Sequence, residues 1–379
     1  MKTMKTIKKL FAISMIFASV FFVACNDDEN NMLSPDDSKV ILENLDADMQ
    51  SDLDQMQNAQ GFKAFVELQD MDDPFSIAKS TKGSFVFNTI KKYLTLSSDK
   101  GLKSVKEEGH FDFTGNLGTY TWSIASQAWD ITHGGTNIVI NFPTDSTLTE
   151  NNATLTINNF EDQEFVDEYD TWYQPTAIDA NLYINDTKYV ELVLDATWQN
   201  NGDPQGLDLS VYLLPFEFTI EFTDGATSTS ITEALFLNNN QIMSIGGTII
   251  FTDNTKEELS SVNGYVQYRT IKVKANVDVS ALIELVEEME SDNHPYTTNE
   301  EIIDAVNKTF YAGVYNESGK KMATIELGII NNETDIVLTF EDGSQELAEP
   351  YFENFIDGIK EFIDEMGITL DNNFDFKKK

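Results

Sequence analysis

Between residues 110 and 279, apolar side chains recur at every second position, and this period is the strongest constraint on the fold. The alternation is clearest in the segments 138–142, 178–184, 216–222 and 271–279. Successive side chains of a β-strand point to opposite faces, so the alternation predicts a sheet with one apolar and one polar face. Strands of a parallel sheet are buried on both faces and would show continuous apolar runs instead. We therefore predict a large antiparallel β-meander.

Turn-forming residues separate the alternating segments at the spacing that hairpins require. They lie at Gly134-Gly135, Asn185-Asp186, 200–206, Asp224-Gly225, 238–240 and Asp253-Asn254. Gly, Asn and Asp tolerate the backbone angles of tight turns, so these clusters predict direct connections between neighbouring antiparallel strands.

Helical periodicity flanks the alternating region on both sides. From residue 36 to about 71, apolar residues recur at three- and four-residue steps, and Asp73-Pro74 ends the pattern. After the sheet, Ser280 is predicted to cap one helix, and Thr298 is predicted to cap a second helix with a capping box. Pro350 opens a third helix with a broad apolar stripe. Short strands are predicted at 311–316, 321–330 and 334–340.

These patterns predict an α+β fold in which N-terminal and C-terminal amphipathic helices cover the apolar face of the meander. Residues 36–279 are predicted to hold the N-terminal helices and the antiparallel sheet. Residues 280–370 are predicted to hold C-terminal helices and short strands that pack on the same sheet, and residues 371–379 form a tail.

The first 24 residues are predicted to be an export signal. They contain four lysines and no acid, and an apolar run of fifteen residues extends from Leu10 to Ala24. A membrane-spanning helix needs about 20 apolar residues, although an uncleaved helix and a signal peptide cut elsewhere stay open. Phe22-Val23-Ala24-Cys25 resembles the lipobox of bacterial lipoproteins, with Phe22 where leucine is usual. The resemblance implies that Cys25, the only cysteine, carries acyl chains such as palmitate and anchors the protein in the membrane.

Residues 25–35 are predicted to be an acidic tether, because a short stretch of high charge and low hydrophobicity does not form a core. The tract Asn26-Asp27-Asp28-Glu29-Asn30-Asn31 also looks like the export tag of Bacteroidota surface lipoproteins. That resemblance implies an outer-membrane location with display at the cell surface.

Without the first 24 residues, the chain has 21 basic and 64 acidic residues, a formal charge of −43. So acidic a chain argues against nucleic acid as a partner, because affinity for nucleic acid comes mostly from contacts of Lys and Arg with phosphate, and we predict no nucleic-acid partner. It also argues against a protein that lies flat on anionic lipid.

No catalytic or metal-binding motif is evident. His110, His133 and His294 lack metal-ligand spacing, and neither a GxSxG elbow nor a phosphate-binding glycine loop is present. We therefore predict that the protein is not an enzyme and uses no metal or cofactor.

Aromatic residues give the one lead to a ligand site. Tyr169, Trp172 and Tyr173 lie in an irregular acidic stretch before Pro175, which predicts a loop with exposed rings. Exposed aromatic residues on loops often mark recognition, so these three are the predicted ligand-binding residues.

The sequence thus predicts a lipid-anchored, non-catalytic binding or interaction module with a glycan, peptide or membrane-protein partner. The alternative is a carrier of apolar ligands, in which a half-barrel sheet holds lipid under a lid at 351–366. This arrangement looks like that of outer-membrane lipoprotein-carrier proteins, although none of their motifs is matched. A continuous apolar cavity of several hundred Å³ would distinguish the carrier.

Overall fold

The computed structural model describes residues 32–43, 51–52, 55–56, 58–61, 63–64, 110–126, 128–144, 147–166, 171–291 and 294–352. Three helices with complete bounds are α1 Pro35–Glu43, α2 Val279–Glu290 and α3 Asn299–Asn307. A single 3-10 turn occupies Thr114–Asn116.

Sixteen β-strands make up most of the described chain, in an open, antiparallel-dominated sheet architecture. The first eight are β1 Gly118–Ser123, β2 Ala128–His133, β3 Ile138–Phe142, β4 Ala153–Val166, β5 Thr171–Ile184, β6 Thr187–Trp198, β7 Pro204–Leu213 and β8 Phe216–Asp224. The others are β9 Ser228–Leu237, β10 Asn240–Phe251, β11 Leu259–Tyr268, β12 Ile271–Asp278, β13 Phe310–Tyr315, β14 Lys321–Ile330, β15 Glu333–Thr339 and β16 Gln345–Leu347. The predicted β-rich, antiparallel character is confirmed.

The described residues divide into two compact units. The first unit contains those within 50–223 and 236–240, and the second contains those within 1–49, 224–235 and 241–356. The predicted division of the chain at residue 279 stays a prediction.

In the first unit the strand order is β2-β1-β3-β4-β5-β6-β7-β8. All neighbours are antiparallel except β1 and β3, which are parallel. The exception arises at Gly134 and Gly135, whose φ angles of 115° and 94° let the chain pass from β2 around the start of β1. The prediction of a strictly antiparallel meander is therefore wrong at this one strand pair.

In the second unit, β9 to β16 follow each other in sheet order. Each pair from β10/β11 to β15/β16 is antiparallel. Along β12, Ile271, Val273, Ala275 and Val277 are buried while the residues between them are half-buried. The period of two in the sequence therefore corresponds to a sheet with one buried, apolar face and one polar face.

Tight turns lie at pairs of Asn and Asp residues, at Asn185-Asp186 as predicted and also at Asn331-Asn332. Asn185 and Asp186 both have positive φ (47° and 65°), as do Asn331 and Asn332 (55° and 64°). Two successive residues with positive φ are the signature of the hairpin turn whose twist matches that of the flanking strands. These turns fix the register of β5 with β6 and of β14 with β15.

The helices of the second unit begin at specific caps. Thr298 accepts a hydrogen bond from the Glu301 backbone N–H (3.2 Å), and Glu301 accepts one from the Thr298 N–H (3.1 Å), so the predicted capping box is confirmed. The prediction of Ser280 as a cap is wrong. Asp278 is the cap of α2, because its carboxylate accepts the Ala281 N–H (2.9 Å) where β12 ends.

An apolar cluster joins α2 and α3 to β14. Its buried members are Leu285, Met289, Ile302, Ile303, Val306 and Leu327. The wider prediction, that N- and C-terminal helices cover the apolar face of the sheet, stays a prediction, because residues 65–109 and 353–379 lie outside the described chain.

No helix in the described ranges is both long and apolar enough to cross a membrane.

Candidate functional site

Two of the predicted site residues lie outside the described chain. These are Cys25, the predicted lipidation site, and Tyr169, the first of the predicted ligand-binding aromatics. Trp172 and Tyr173 both lie in β5, near the end of the hairpin that β4 and β5 form. The described part of the candidate site is therefore this hairpin end.

The prediction that Trp172 is exposed on a loop is wrong. The side chain lies in β5 and is only 5% exposed. It stacks on Phe165, its register partner on β4, with ring centroids 5.7 Å apart and planes at 20°. Pro175 does not end the strand, because it pairs with Asp162 beside a register shift, where a proline is tolerated.

The turn between β6 and β7 closes over the same indole. Gly202 in this turn has φ of 81°, and a Cβ at this position would lie 3.1 Å from Cζ2 of Trp172. Trp172 is thus held by Phe165 and by the turn, and its ring offers no open face on which a sugar could stack.

Tyr173 faces away from Trp172 and is half-buried. Its ring lies 5.6 Å from the ring of His110, and Nδ1 of His110 lies 2.8 Å from Oδ1 of Asp162. Burial, followed by the charges of Glu164 and Asp162, raises the pKa of the Tyr173 hydroxyl. A hydrogen bond to the Glu164 side chain acts in the same direction, so the hydroxyl stays protonated and its proton already has an acceptor on β4.

Asp162 organises this side of the hairpin. Its side chain is 5% exposed, and besides His110 it accepts a hydrogen bond from the Phe111 N–H (3.3 Å). Sequence reasoning missed the pair of His110 and Asp162, because the two residues lie 52 positions apart and neither belongs to a recognisable motif. His110 also lies outside every strand, so strand pairing alone would not have brought the two residues together.

A cleft of about 530 Å³ lies between α2 and α3 in the second unit. Its lining includes Glu284, Glu288, Glu301 and Asp304, so it is acidic and not the apolar cavity that a lipid carrier needs. Tyr296 donates to Glu288 (3.1 Å), and Thr297 and Thr298 donate to Glu301. The proposed lid at 351–366 lies outside the described residues beyond position 352, so the carrier stays a prediction.

Over the described ranges, no group of three or more His, Cys, Asp or Glu side chains is placed to hold a metal ion. Comparison with protein-family models, with curated proteins and with solved structures finds no match for this chain. Function therefore has to be argued from the residues of the chain itself.

Proposed function

We propose that this protein is a lipid-anchored lipoprotein of the outer membrane, displayed at the cell surface, that acts as a non-catalytic binding or interaction module. The observation that carries the proposal is the position of Cys25. The only cysteine of the chain directly follows an apolar segment with a basic start, and acylation needs a cysteine there.

The polar face of the sheet is the proposed interaction surface. Its side chains stand at fixed positions because the apolar residues between them are buried, as along β12 and β3. At the hairpin end, the rings of Tyr173 and His110 form a small aromatic surface, and Nε2 of His110 is the ring nitrogen that does not face Asp162. Such a surface suits a glycan or a protein partner and does not call for a cofactor.

Cell fractionation tests the anchor. Cys25→Ser removes the only thiol and should move the protein from the membrane to the soluble fraction. Phe22→Leu, which restores the residue usual in the lipobox, is the matched control and should keep the protein in the membrane. Membrane association of the serine variant that equals that of the parent would overturn the proposal.

Surface display is tested separately. Replacing Asp27, Asp28 and Glu29 by their amides should leave the protein in the membrane fraction but reduce its accessibility to protease added to whole cells. Equal accessibility of the parent and the amide variant would remove the acidic tract from the proposal.

A further inference from the structure

Three neighbouring strands of the first unit bring two tyrosines, a lysine and a glutamate together, and we call this group the tyrosine cluster. Tyr183 of β5 pairs with Lys188 of β6, and Glu191 of β6 pairs with Tyr212 of β7. Directly paired residues project from the same face of a sheet. Nζ of Lys188 lies 2.8 Å from Oε2 of Glu191, so the two pairs meet at one place on this face.

The tyrosine cluster lies on the face opposite to the apolar side chains. On β7, Tyr212 stands between Val211 and Leu213, which are both buried. On β5, Tyr183 follows Leu182, which is also buried. Because successive side chains of a strand point to opposite faces, both tyrosine rings project from the polar face of the sheet.

The members of the tyrosine cluster are accessible to a ligand. Tyr183 is 39% exposed, the side chains of Lys188 and Glu191 are each 35% exposed, and Tyr212 is half-buried. Tyrosine combines a large apolar ring with a polar tip, which suits a surface that is wet until a partner binds. A ligand can therefore reach all four side chains from the solvent.

Lys188 is held at the centre of the tyrosine cluster. Its Nζ lies 5.2 Å from the ring centroid of Tyr212, within the range of about 6 Å over which a cation is attracted to a ring face. The hydrogen bond to Glu191 is the main cause that raises the pKa of Lys188, so the ammonium group stays charged. The polar groups between the two rings are thus fixed in place before a ligand binds, which lowers the entropic cost of binding.

This combination of groups suits a sugar. A sugar ring offers a face of C–H groups to an aromatic ring, and hydroxyls at its edge that both donate and accept hydrogen bonds. The Lys188 ammonium has three donors and the Glu191 carboxylate about four acceptor sites, so each keeps capacity beyond the bond between them. A donor and an acceptor side by side match two neighbouring hydroxyls of one sugar.

The two rings are spaced for a chain of sugars. Tyr183 and Tyr212 lie on strands separated by β6, which places them two strand spacings apart, about 10 Å. Asn181 is the residue of β5 in line with Glu191 and Tyr212, so the rings are also offset by two residues along the strands, about 7 Å. The resulting separation of about 12 Å between the two Cα positions exceeds the width of one sugar ring. Contact with both rings therefore requires an oligosaccharide.

The charges favour a neutral ligand. Lys188 and Glu191 cancel each other, while the chain as a whole carries 64 acidic and 25 basic residues. The net charge repels a polyanion, and Lys188 opposes a cation at the centre of the tyrosine cluster. A stable protein interface has a largely apolar centre, whereas an ion pair occupies the centre here. These charges fit a neutral glycan better than an acidic glycan or a protein.

From these observations we infer that the tyrosine cluster is a binding site for a neutral glycan chain. The two tyrosine rings stack on separate sugar rings, and the ion pair between them binds sugar hydroxyls. The inference rests on the proposed function as a binding module, and it names the ligand class and the place where that ligand binds.

Native affinity gel electrophoresis tests the inference. The full chain carrying Cys25→Ser is run through gels cast with hydroxyethylcellulose, galactomannan or soluble starch, and at least one of these neutral polysaccharides should retard it. Truncation of a residue central to a binding site costs more than about 1 kcal/mol, so Tyr183→Ala and Tyr212→Ala should each weaken the affinity about fivefold or more. Tyr183→Phe and Tyr212→Phe keep the rings and should retain most of the affinity. Retardation by none of the three polysaccharides would overturn the inference.

The role of the ion pair is tested in the same gels. The double variant K188M/E191M keeps side chains of similar length but removes both hydrogen-bonding groups. Hydrogen bonds to charged groups contribute about 1.5–3 kcal/mol, so this variant should lose about tenfold or more in affinity. Unchanged affinity would contradict the assignment of the ion pair to sugar hydroxyls.

Tyr265→Ala is the matched control. Tyr265 is also half-buried and also lies under a lysine, with Nζ of Lys272 3.6 Å from its ring centroid, but it belongs to β11 in the second unit. Its substitution should leave the retardation unchanged, and circular dichroism should show that all variants remain folded. Equal losses for Tyr265→Ala and Tyr183→Ala would overturn the assignment of the site.

The outcome of this assay is separate from that of the proposed function. Because the gels use unlipidated protein, the result does not depend on acylation of Cys25, which cell fractionation decides. Failure of all three polysaccharides to bind would overturn the glycan site and leave the lipid anchor and a protein partner of the module in place.

Discussion

Replacement of Trp172 by alanine should destabilise the first unit strongly, although this residue was the most prominent candidate for ligand contact. The indole is 5% exposed and stacks on Phe165. A buried tryptophan removes about 150–250 Å² from water, and at about 25 cal/mol per Å² this burial stabilises the fold by about 4–6 kcal/mol. Measured losses for such truncations are about 3–5 kcal/mol, which is the expected value here.

Urea unfolding followed by far-UV circular dichroism is the appropriate assay, because loss of a tryptophan alters the fluorescence signal itself. The two units can unfold in separate transitions, so each transition is fitted with its own midpoint and slope. Val166→Ala, at a position that is 68% exposed on the same hairpin end, is the control and should change stability by less than about 0.5 kcal/mol.

A double-mutant cycle isolates the ring contact. Phe165→Ala and Trp172→Ala should couple by about 0.5–1.5 kcal/mol, the contribution of a stacked aromatic pair beyond its buried area. A loss below about 1 kcal/mol for Trp172→Ala would refute the structural role, since it lies within the range of ordinary substitutions. Loss of partner binding with unchanged stability would instead restore Trp172 as a contact residue.

Two further substitutions test how loops and caps support the fold. Gly202→Ala forces a residue with a side chain to φ of 81° against the indole of Trp172, and the same urea assay should show a loss of about 1–2 kcal/mol. Thr298→Ala removes the cap of α3 and should lower stability by about 1 kcal/mol in thermal unfolding. Hydrogen bonds from the Thr297 backbone, the Thr297 hydroxyl and the Thr298 backbone lower the pKa of Glu301. The stabilisation of the folded state by the ionised Glu301 side chain is therefore complete above the pKa of an unfolded glutamate. It is lost as the pH falls through the lower pKa of Glu301 in the folded state. Glu301→Gln should flatten this acid-side dependence, and an unaltered pH profile would contradict the capping role.

The strands could be predicted because the sequence pattern that specifies them is local. Alternation in 271–279 depends only on residues two apart, and β12 buries Ile271, Val273, Ala275 and Val277 as the period requires. The helix cap was misplaced by two residues because Asp278 also continues the alternating pattern of β12. Asp278 fits both the alternating pattern of β12 and the preference for Asp at a helix N-cap, and the strand pattern alone was used to assign it.

Trp172 shows a second reason for failure. Its stretch contains Pro175 and several acids, which locally favour a loop, yet a hairpin partner on β4 extends the strand past the proline. The bulge that accommodates Pro175 is a property of the pair of strands and not of either sequence alone. Long-range pairing therefore overrode the local preference.

Convergence of polar side chains depends on the same long-range pairing. Lys272, Tyr315 and Lys321 are register neighbours on three strands, and a shift of one residue in either register would turn at least one of these side chains to the opposite face of the sheet. That register is fixed locally on one side, by the turn at Ser318-Gly319 between β13 and β14. On the other side α2 and α3 intervene between β12 and β13, so only tertiary packing can set it. A face of this sheet thus acquires its chemistry from packing on the opposite face, because the buried apolar residues determine which polar residues stand side by side.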